Sequence, residues 1–314
     1  MHELNLRAMN TDIRLLAADS GDRTQARLTR AAERFAVHER ALSRFDPASD
    51  LSALNRAGPG WTWVPELLFH ALTAADALFR QTGGLYNPGI LSALEAEGYD
   101  RSFEQLAPPL DDHVRRPAVP PAPPIAVLFA KSYALDPERQ AVRLAPGVRL
   151  DLGGIGKGLA VDAAAAELGD QRGFLVDAGG DIRVGGTSPD GGDWGIAVQD
   201  PTDLDRDLAV LAVRDGAVAT SSVGRRRWLR QGEVVHHLID PRTGRSAVSD
   251  LLAATVLAPA CATAEVFAKA VVIAGAEAGF ALLERHNLAG LVVDRERRLR
   301  VNPAMQPFLV DTSA

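Results

Sequence analysis

The residues of this sequence best suited to chemistry lie in one glycine-rich stretch, residues 150–162. Four glycines occur within six consecutive positions, and Lys157 lies among them. Residues 148–152 predict the end of a strand, and the alanine-rich residues 159–168 predict a helix that ends at Gly169. A glycine turn that leads into a helix presents backbone N–H groups and the positive end of the helix dipole, so this stretch suits a phosphate or pyrophosphate.

Two familiar phosphate-binding motifs do not match this stretch. A P-loop requires Gly, four residues and then Gly-Lys-Ser/Thr, but here Asp151 stands at the first glycine position and Gly158 at the hydroxyl position. The dinucleotide fingerprint Gly-x-Gly-x-x-Gly fails because its last position is Leu159. The stretch is therefore either an anion site of another type or a tight turn whose lysine faces solvent.

Hydroxyl and imidazole groups in the second half offer further candidate sites. Thr220 precedes the arginine run 225–227, and hydroxyls beside cations suit an anionic group, although a capped turn is the simpler interpretation. His236 and His237 are adjacent in a predicted strand, so their side chains must face opposite sides. We expect one at the surface and the other at a ligand or bracing the turn at Asp240.

Glu265 and Lys269 lie four residues apart in a helix predicted over about residues 262–274. On an exposed helix such an ion pair contributes only about 0.2–0.5 kcal/mol. This helix is apolar nearly all round, which is typical of a buried helix, and a buried charge needs a partner. We therefore interpret the two side chains as a functional pair, or at least an internal one, rather than a solvated pair.

The elements that must position these groups mix helices and strands without regular alternation. Two predicted strands, residues 3–9 and 13–18, precede a long helix over about residues 24–42, in which apolar residues recur with helical spacing. Pro65 is placed to begin another helix, which runs to about Thr82. Short strands fill much of the remainder, so we predict an α+β fold of mostly antiparallel sheets with flanking helices.

Composition excludes several classes of protein. A chain of 314 residues with 46% hydrophobic side chains and a net charge of −6 is ordinary for a globular protein and does not predict a nucleic-acid partner. The single cysteine, Cys261, excludes an intrachain disulfide. No apolar run approaches membrane-spanning length and no signal-peptide pattern is seen, so we expect a cytoplasmic protein without membrane insertion.

The proline-rich residues 107–124 predict a surface loop within a single domain of residues 1–314.

Eight segments, in their order along the chain, resemble those of the ApbE family of FAD-dependent flavin transferases. These segments are residues 9–11, 42–46, 51–55, 83–88, 150–162, 176–181, 219–221 and 237–244. The resemblance implies a T-fold-related domain. It also implies that FAD is cleaved and that FMN is joined through a phosphoester to a threonine of an acceptor flavoprotein, with magnesium and with release of AMP. Two alternatives stay open: an FAD pyrophosphatase that yields FMN and AMP, and a catalytically impaired FAD-binding protein.

The resemblance also implies roles for individual residues. The candidate FAD contacts are Met9, Phe45, Leu85, Tyr86, Asn87, Asp151, Lys157, Thr220 and His237. The candidate catalytic groups are Lys157 and His237, to which we add Lys269 as our own hypothesis, and we take His237 or Asp240 as the candidate general base. The candidate metal ligands are the carbonyl of Gly154 and the carboxylate of Glu265.

Two positions depart from what the resemblance implies. The family's helix carries aspartate and, four residues later, threonine as metal ligands, whereas this chain has Glu265 and Lys269. Glutamate can ligate Mg²⁺, but a divalent ion about 4 Å from an ammonium is repelled by roughly 8 kcal/mol at an effective dielectric near 20. Either Lys269 takes over part of the metal's role, or it points away and pairs with Glu265. Asn87 replaces a frequent aspartate, which removes one negative charge.

Overall fold

The computed structural model describes residues 1–106, 132–230 and 232–311. The predicted proline-rich loop at 107–124 lies outside these residues. Elements are numbered in chain order. In the described ranges the α-helices are α1 (Asp22–Leu42), α2 (Asp50–Arg56), α3 (Glu66–Gln81), α4 (Leu91–Ala96), α5 (Gly156–Leu168), α6 (Cys261–Ala274) and α7 (Ala276–Arg285). None of the helices in this part of the chain is long and apolar enough to cross a membrane.

An eight-stranded sheet, antiparallel at every pairing, lies at the centre of the fold. In spatial order its strands are β1 (His2–Ala8), β2 (Thr11–Ala17), β6 (Gly173–Ala178), β7 (Asp181–Gly186), β10 (Gly216–Ser222), β15 (Leu251–Ala258), β16 (Ala289–Asp294) and β17 (Leu299–Val301).

Smaller antiparallel sheets surround the central one. One contains β3 (Thr62–Trp63), β5 (Ala141–Leu144) and β4 (Tyr133–Asp136); an outer sheet contains β18 (Leu309–Asp311), β9 (Asp203–Val213) and β8 (Trp194–Asp200). Two-stranded pairs are formed by β11 (Arg227–Arg230) with β12 (Glu233–His236), and by β13 (Ile239–Asp240) with β14 (Arg245–Ser246). The predicted α+β fold of mostly antiparallel sheets with flanking helices is confirmed.

The central sheet separates two apolar cores, because successive side chains of a strand point to opposite faces. On β2, Leu15 belongs to the core formed with α1, α5 and α6, whereas Leu16 belongs to the core beneath the outer sheet. On β10, Ala219 faces the helices and Val218 faces the outer sheet. Strands buried on both faces explain the continuous apolar runs in this part of the sequence.

The segment 148–152, predicted as a strand, belongs to no ladder in the structure. Asn55 replaces a neighbouring strand: its Nδ2 donates to Leu150 O at 2.8 Å and its Oδ1 accepts from Leu150 N at 2.7 Å. Asp151 N then donates to Pro88 O at 2.7 Å. Because these bonds satisfy the extended backbone, the glycine turn is anchored without a strand partner.

Candidate active site

A cavity of about 400 Å³ opens beside the glycine turn, within the size range of small-molecule sites. Ten residues predicted from the sequence line it: Met9, Phe45, Leu85, Tyr86, Asn87, Asp151, Gly154, Lys157, His237 and Lys269. Residues from distant parts of the sequence therefore meet at one place, as a shared binding site requires.

Tight turns deliver two of the cavity walls. Met9 and Asn10 connect β1 to β2 with φ of 52° and 57°, the left-handed conformation of a two-residue hairpin turn. After α3, Gly83 and Gly84 also have positive φ, 60° and 84°, which glycine adopts without strain. This second turn carries residues 85–87 into the wall of the cavity.

Four charged side chains form a cluster at the glycine turn, which we call the lysine–carboxylate cluster: Lys157, Asp181, Glu265 and Lys269. Lys157 pairs with Asp181 and lies 3.3 Å from Glu265 Oε1. Lys269 Nζ lies 2.9 Å from the same Glu265 oxygen. The Glu265 side chain is 1% exposed, against 18% for Lys157 and 15% for Lys269, so both ammonium groups lie between the buried carboxylate and the cavity.

Glu265 also binds the first turn of α5. Its Oε2 accepts a hydrogen bond from Gly158 N at 2.8 Å. Asp162 of α5 makes the reciprocal contact with the first turn of α6. Its carboxylate accepts hydrogen bonds from Cys261 N at 2.8 Å and Ala262 N at 3.0 Å. The sequence predicted a helix start with N–H groups open to phosphate, and this is wrong for Gly158, whose N–H binds a protein carboxylate.

The helix begins earlier than the sequence predicted. Its first residue is Gly156 rather than Leu159, so the first turn of α5 includes Gly158, which lets α5 approach α6 closely. A Cβ on Gly158 would lie 2.5 Å from Ala262 Cα. The helix ends at Leu168 as predicted, although Gly169 keeps right-handed backbone angles.

Electrostatics keep the lysine–carboxylate cluster ionised at its centre. Burial alone would raise the pKa of Glu265, but the charges of Lys157 and Lys269 and the bond from Gly158 N lower it below its usual range. Burial lowers the pKa of Lys157, and the negative charge of Glu265 opposes that effect. The two lysines therefore supply positive charge beside the cavity while Glu265 fixes their positions.

Arg44 is a cavity residue that the sequence interpretation missed. Its guanidinium lies over the rings of Phe45 and Tyr99, 4.1 and 4.6 Å from their centroids, and its Nε is 2.5 Å from Asp151 Oδ2. Asp151 thus holds Arg44 at the aromatic wall. The segment 42–46 gave a signal for Arg44, whereas no pattern pointed to Tyr99.

His237 lines the cavity just after β12, beside Arg226, a member of the arginine run 225–227 that the sequence suggested for an anionic group. Burial, then the nearby charges of Arg226, His236 and Lys269, hold the pKa of His237 well below its usual value. Its imidazole is therefore neutral at pH 7 and can accept a proton. Asp240, the other candidate base, does not line the cavity and is held by Arg242, with Nε to Oδ1 at 2.8 Å.

The expectation that one of the two adjacent histidines lies at the surface is wrong. His236 is 1% exposed, and its Nε2 lies 3.1 Å from Ala247 O. At this position both faces of the short β11–β12 pair are covered, so neither histidine side chain points to an exposed face. His236 braces the loop, and His237 faces the cavity.

Thr220 is not brought to the cavity. It shares a strand face with Val218, which packs beneath the outer sheet, so its side chain points away from the helices. Its hydroxyl instead lies 2.8 Å from the Thr255 hydroxyl on β15.

The donor set at Glu265 does not fit Mg²⁺. Magnesium requires near-octahedral oxygen coordination, but the Glu265 oxygens are taken by Lys157, Lys269 and Gly158 N. Across residues 1–106, 132–230 and 232–311, no group of three or more acidic, histidine or cysteine side chains is arranged to hold a metal ion. Lys269 pairs with Glu265, as one of the two alternatives predicted, but the part of that alternative in which it points away is wrong, because Lys269 lines the cavity.

Comparisons with known proteins identify relatives of this chain. The FAD:protein FMN transferase of Vibrio cholerae is 32% identical over 170 residues, which are 52% of this chain and 51% of that protein; the chain thus spans about half the length of this relative. The FAD:protein FMN transferase of Treponema pallidum is 28% identical over 279 residues, 84% of this chain and 76% of that protein.

The fold also matches a solved structure over nearly its whole length. The crystal structure of the ApbE protein from Thermotoga maritima superposes with a TM-score of 0.84 and 25% identity, covering 99% of both chains. The model of the ApbE family matches residues 9–292, which include the ten predicted residues that line the cavity. The chain belongs to the ApbE family.

Proposed function

We propose that this protein is an FAD:protein FMN transferase, which moves FMN from FAD to a threonine of an acceptor flavoprotein and releases AMP. The observation that carries the proposal is the cavity that joins an aromatic wall to two ammonium groups, Lys157 and Lys269. A dinucleotide carries flat rings and a charged diphosphate, and these two surfaces complement both. The names of the matched relatives support the same activity.

The proposed reaction is a phosphoryl transfer. The acceptor threonine oxygen forms a bond to the FMN-side phosphorus, the phosphoanhydride bond to AMP breaks, and AMP leaves with the electron pair of that bond. Such chemistry depends on positioning and on neutralising charge at the phosphoryl oxygens. Lys157 and Lys269 supply positive charge for that purpose. The neutral imidazole of His237 takes the threonine proton, as a general base must.

Product analysis by mass spectrometry tests the proposal. The protein is incubated with FAD and a threonine-bearing acceptor protein, with magnesium and separately with chelator. A mass gain of one FMN on the acceptor threonine, together with AMP, is the expected result. Free FMN with AMP would identify an FAD pyrophosphatase instead, and intact bound FAD would identify a binding protein. A threonine-to-alanine acceptor is the matched control, which must stay unlabelled.

The kind of acceptor and the cellular location of this protein also belong to the proposal. The threonine acceptor and a cytoplasmic location stay predictions. Cells that express the chain are separated into cellular fractions, and each fraction is searched by mass spectrometry for peptides with FMN on threonine. The modified peptide identifies the acceptor, and the fraction that contains this chain gives its location.

A further inference from the structure

Lys269 lies where the cavity wall meets the glycine turn. Its Cδ and Cε atoms lie 3.5 Å from the position that a Cβ on Gly154 would take, and its side chain is 15% exposed. The Glu265 carboxylate, 2.9 Å away, fixes the ammonium from behind. The positive charge is therefore held at a defined place on the cavity wall instead of moving freely in solvent.

The same contacts leave Glu265 badly suited to recruit a divalent cation. One of its oxygens faces two ammonium groups, and the other accepts the Gly158 N–H. A cation ligated by either oxygen would be brought close to two positive charges in a weakly screened place. The contacts of Glu265 therefore favour ammonium groups over a metal ion as the cations beside this carboxylate.

The choice of residue type points the same way. The sequence has three lysines among 34 basic residues, and Lys157 and Lys269 are two of them. Arginine serves at the other cationic positions of the cavity, Arg44 and Arg226. An ammonium is a compact point charge, whereas a guanidinium is a planar fork, so the lysine–carboxylate cluster presents the cation type closest in size to a metal ion.

We propose that the Lys269 ammonium, held by Glu265, neutralises the diphosphate of the bound dinucleotide in place of a divalent cation, so that this chain binds FAD without Mg²⁺. The identity of the dinucleotide rests on the proposed function. Recognition of the diphosphate does not, because ADP carries the same group and serves as an independent probe.

Calorimetric titration with ADP and with FAD in chelator tests the inference. The wild-type affinity is expected to change less than about twofold when Mg²⁺ is added. Lys269→Met removes the ammonium and is expected to weaken binding about tenfold or more, the scale of one charge-assisted hydrogen bond. Arg139→Met is the matched control, because it removes an exposed cation that does not line the cavity, and its affinity should equal that of the wild type.

The response to magnesium separates two variants of Lys269. Lys269→Thr supplies a hydroxyl oxygen and leaves Glu265 Oε1 facing one ammonium group, that of Lys157, instead of two, so added Mg²⁺ should restore part of its binding of ADP. Lys269→Met supplies no oxygen ligand and should not respond. Equal magnesium responses in the wild type and Lys269→Thr would overturn the inference, as would wild-type binding that requires Mg²⁺.

A measurement on the wild type guards against variants that fail to fold. Amine acetylation mapped by mass spectrometry reports access to Lys269, and ADP in chelator is expected to protect it. Absence of both protection and ADP binding would overturn the inference. Metal-free ADP binding with Lys269 protection, but without transfer of FMN, would leave the inference standing and contradict only the proposed function.

Discussion

Tyr86 combines a buried ring at the cavity with a hydroxyl that is hard to explain by packing. Among the described residues its hydroxyl has no hydrogen-bond partner. Burial raises its pKa well above the usual value, with smaller contributions from Tyr133, Glu265 and Asp151, so the hydroxyl stays protonated. Burial of the Tyr86 hydroxyl therefore costs desolvation free energy that no hydrogen bond from the described residues offsets.

Replacement of Tyr86 by Phe is therefore expected to stabilise the ligand-free protein. A buried hydroxyl without a partner costs about 1–3 kcal/mol, and Tyr86→Phe should raise the free energy of unfolding by about 1 kcal/mol in urea titrations. Tyr133→Phe is the matched control, because the Tyr133 hydroxyl donates to Leu72 O at 2.9 Å and its loss should destabilise. Equal destabilisation by both variants would contradict the explanation.

For individual residues, the sequence predicted part of the candidate site. The pair Glu265–Lys269 follows from a spacing of four on an apolar helix, and the structure contains it. The contacts of Lys157 with Asp181 and Glu265 join residues 24 and 108 positions apart. Periodicity reports only which residues share one element, so these contacts between elements lay beyond prediction from the sequence.

The crossing of α5 and α6 shows the same limit for whole elements. Helical spacing predicted both helices, and the end of α5 is right to the residue. The start of α5 was missed because glycine disfavours helix in isolation, whereas here the close approach to Ala262 requires it. Tertiary contact outweighed local propensity at the position that also carries the Glu265 hydrogen bond.

Gly158→Ala tests the requirement for close approach. The added Cβ would lie 2.5 Å from Ala262 Cα and 2.6 Å from Ala262 N, so the helices must separate. Overpacking of this kind typically costs 1–3 kcal/mol, and we expect the free energy of unfolding to fall by about 2–3 kcal/mol in urea titrations.

The same helix offers a matched control for that variant. A Cβ on Gly169 would meet only Ala166 O at 3.7 Å, and Gly169→Ala should be neutral or slightly stabilising. If Gly158→Ala were as stable as Gly169→Ala, the two helices could not be packed as closely as described.

For the whole molecule, pairing between distant segments unites the two halves of the chain. Strand β2 pairs with β6, with Ile13 opposite Ala178, and one core contains side chains from Ile13 to Val292. A single domain over residues 1–314 stays a prediction that this pairing favours. The outer sheet is a separate layer, so its attachment to the central sheet decides whether the molecule unfolds as a unit.

Asp200 forms one such attachment. It lies at the end of β8, and its carboxylate accepts from Thr202 N at 2.8 Å and the Thr202 hydroxyl at 2.7 Å. Arg297, in the turn between β16 and β17, forms an ion pair with it. Burial would raise the pKa of Asp200, but the bonds from Thr202 and Arg297 outweigh burial and lower it to about 2.

The low pKa of Asp200 links the attachment of the outer sheet to pH. In the unfolded chain this carboxyl has a pKa of about 4, so its contribution to stability is complete above about pH 4 and is lost as the pH falls towards 2. Because Arg297 is half exposed, solvent screening reduces the contribution to about 1–2 kcal/mol. Asp200→Asn should lower the free energy of unfolding by that amount at pH 7 in urea titrations.

The difference between Asp200→Asn and the wild type should narrow when the titrations are repeated at about pH 3, since the wild-type carboxyl then begins to lose its advantage. Asp193→Asn is the matched control, because its ion pair with Arg214 at 2.8 Å is exposed and such pairs contribute about 0–1 kcal/mol. A pH-independent difference for Asp200→Asn would assign its effect to the lost hydrogen-bond geometry and not to its charge. The outer sheet would then be attached by packing and neutral contacts, and acid would not loosen it before the central sheet.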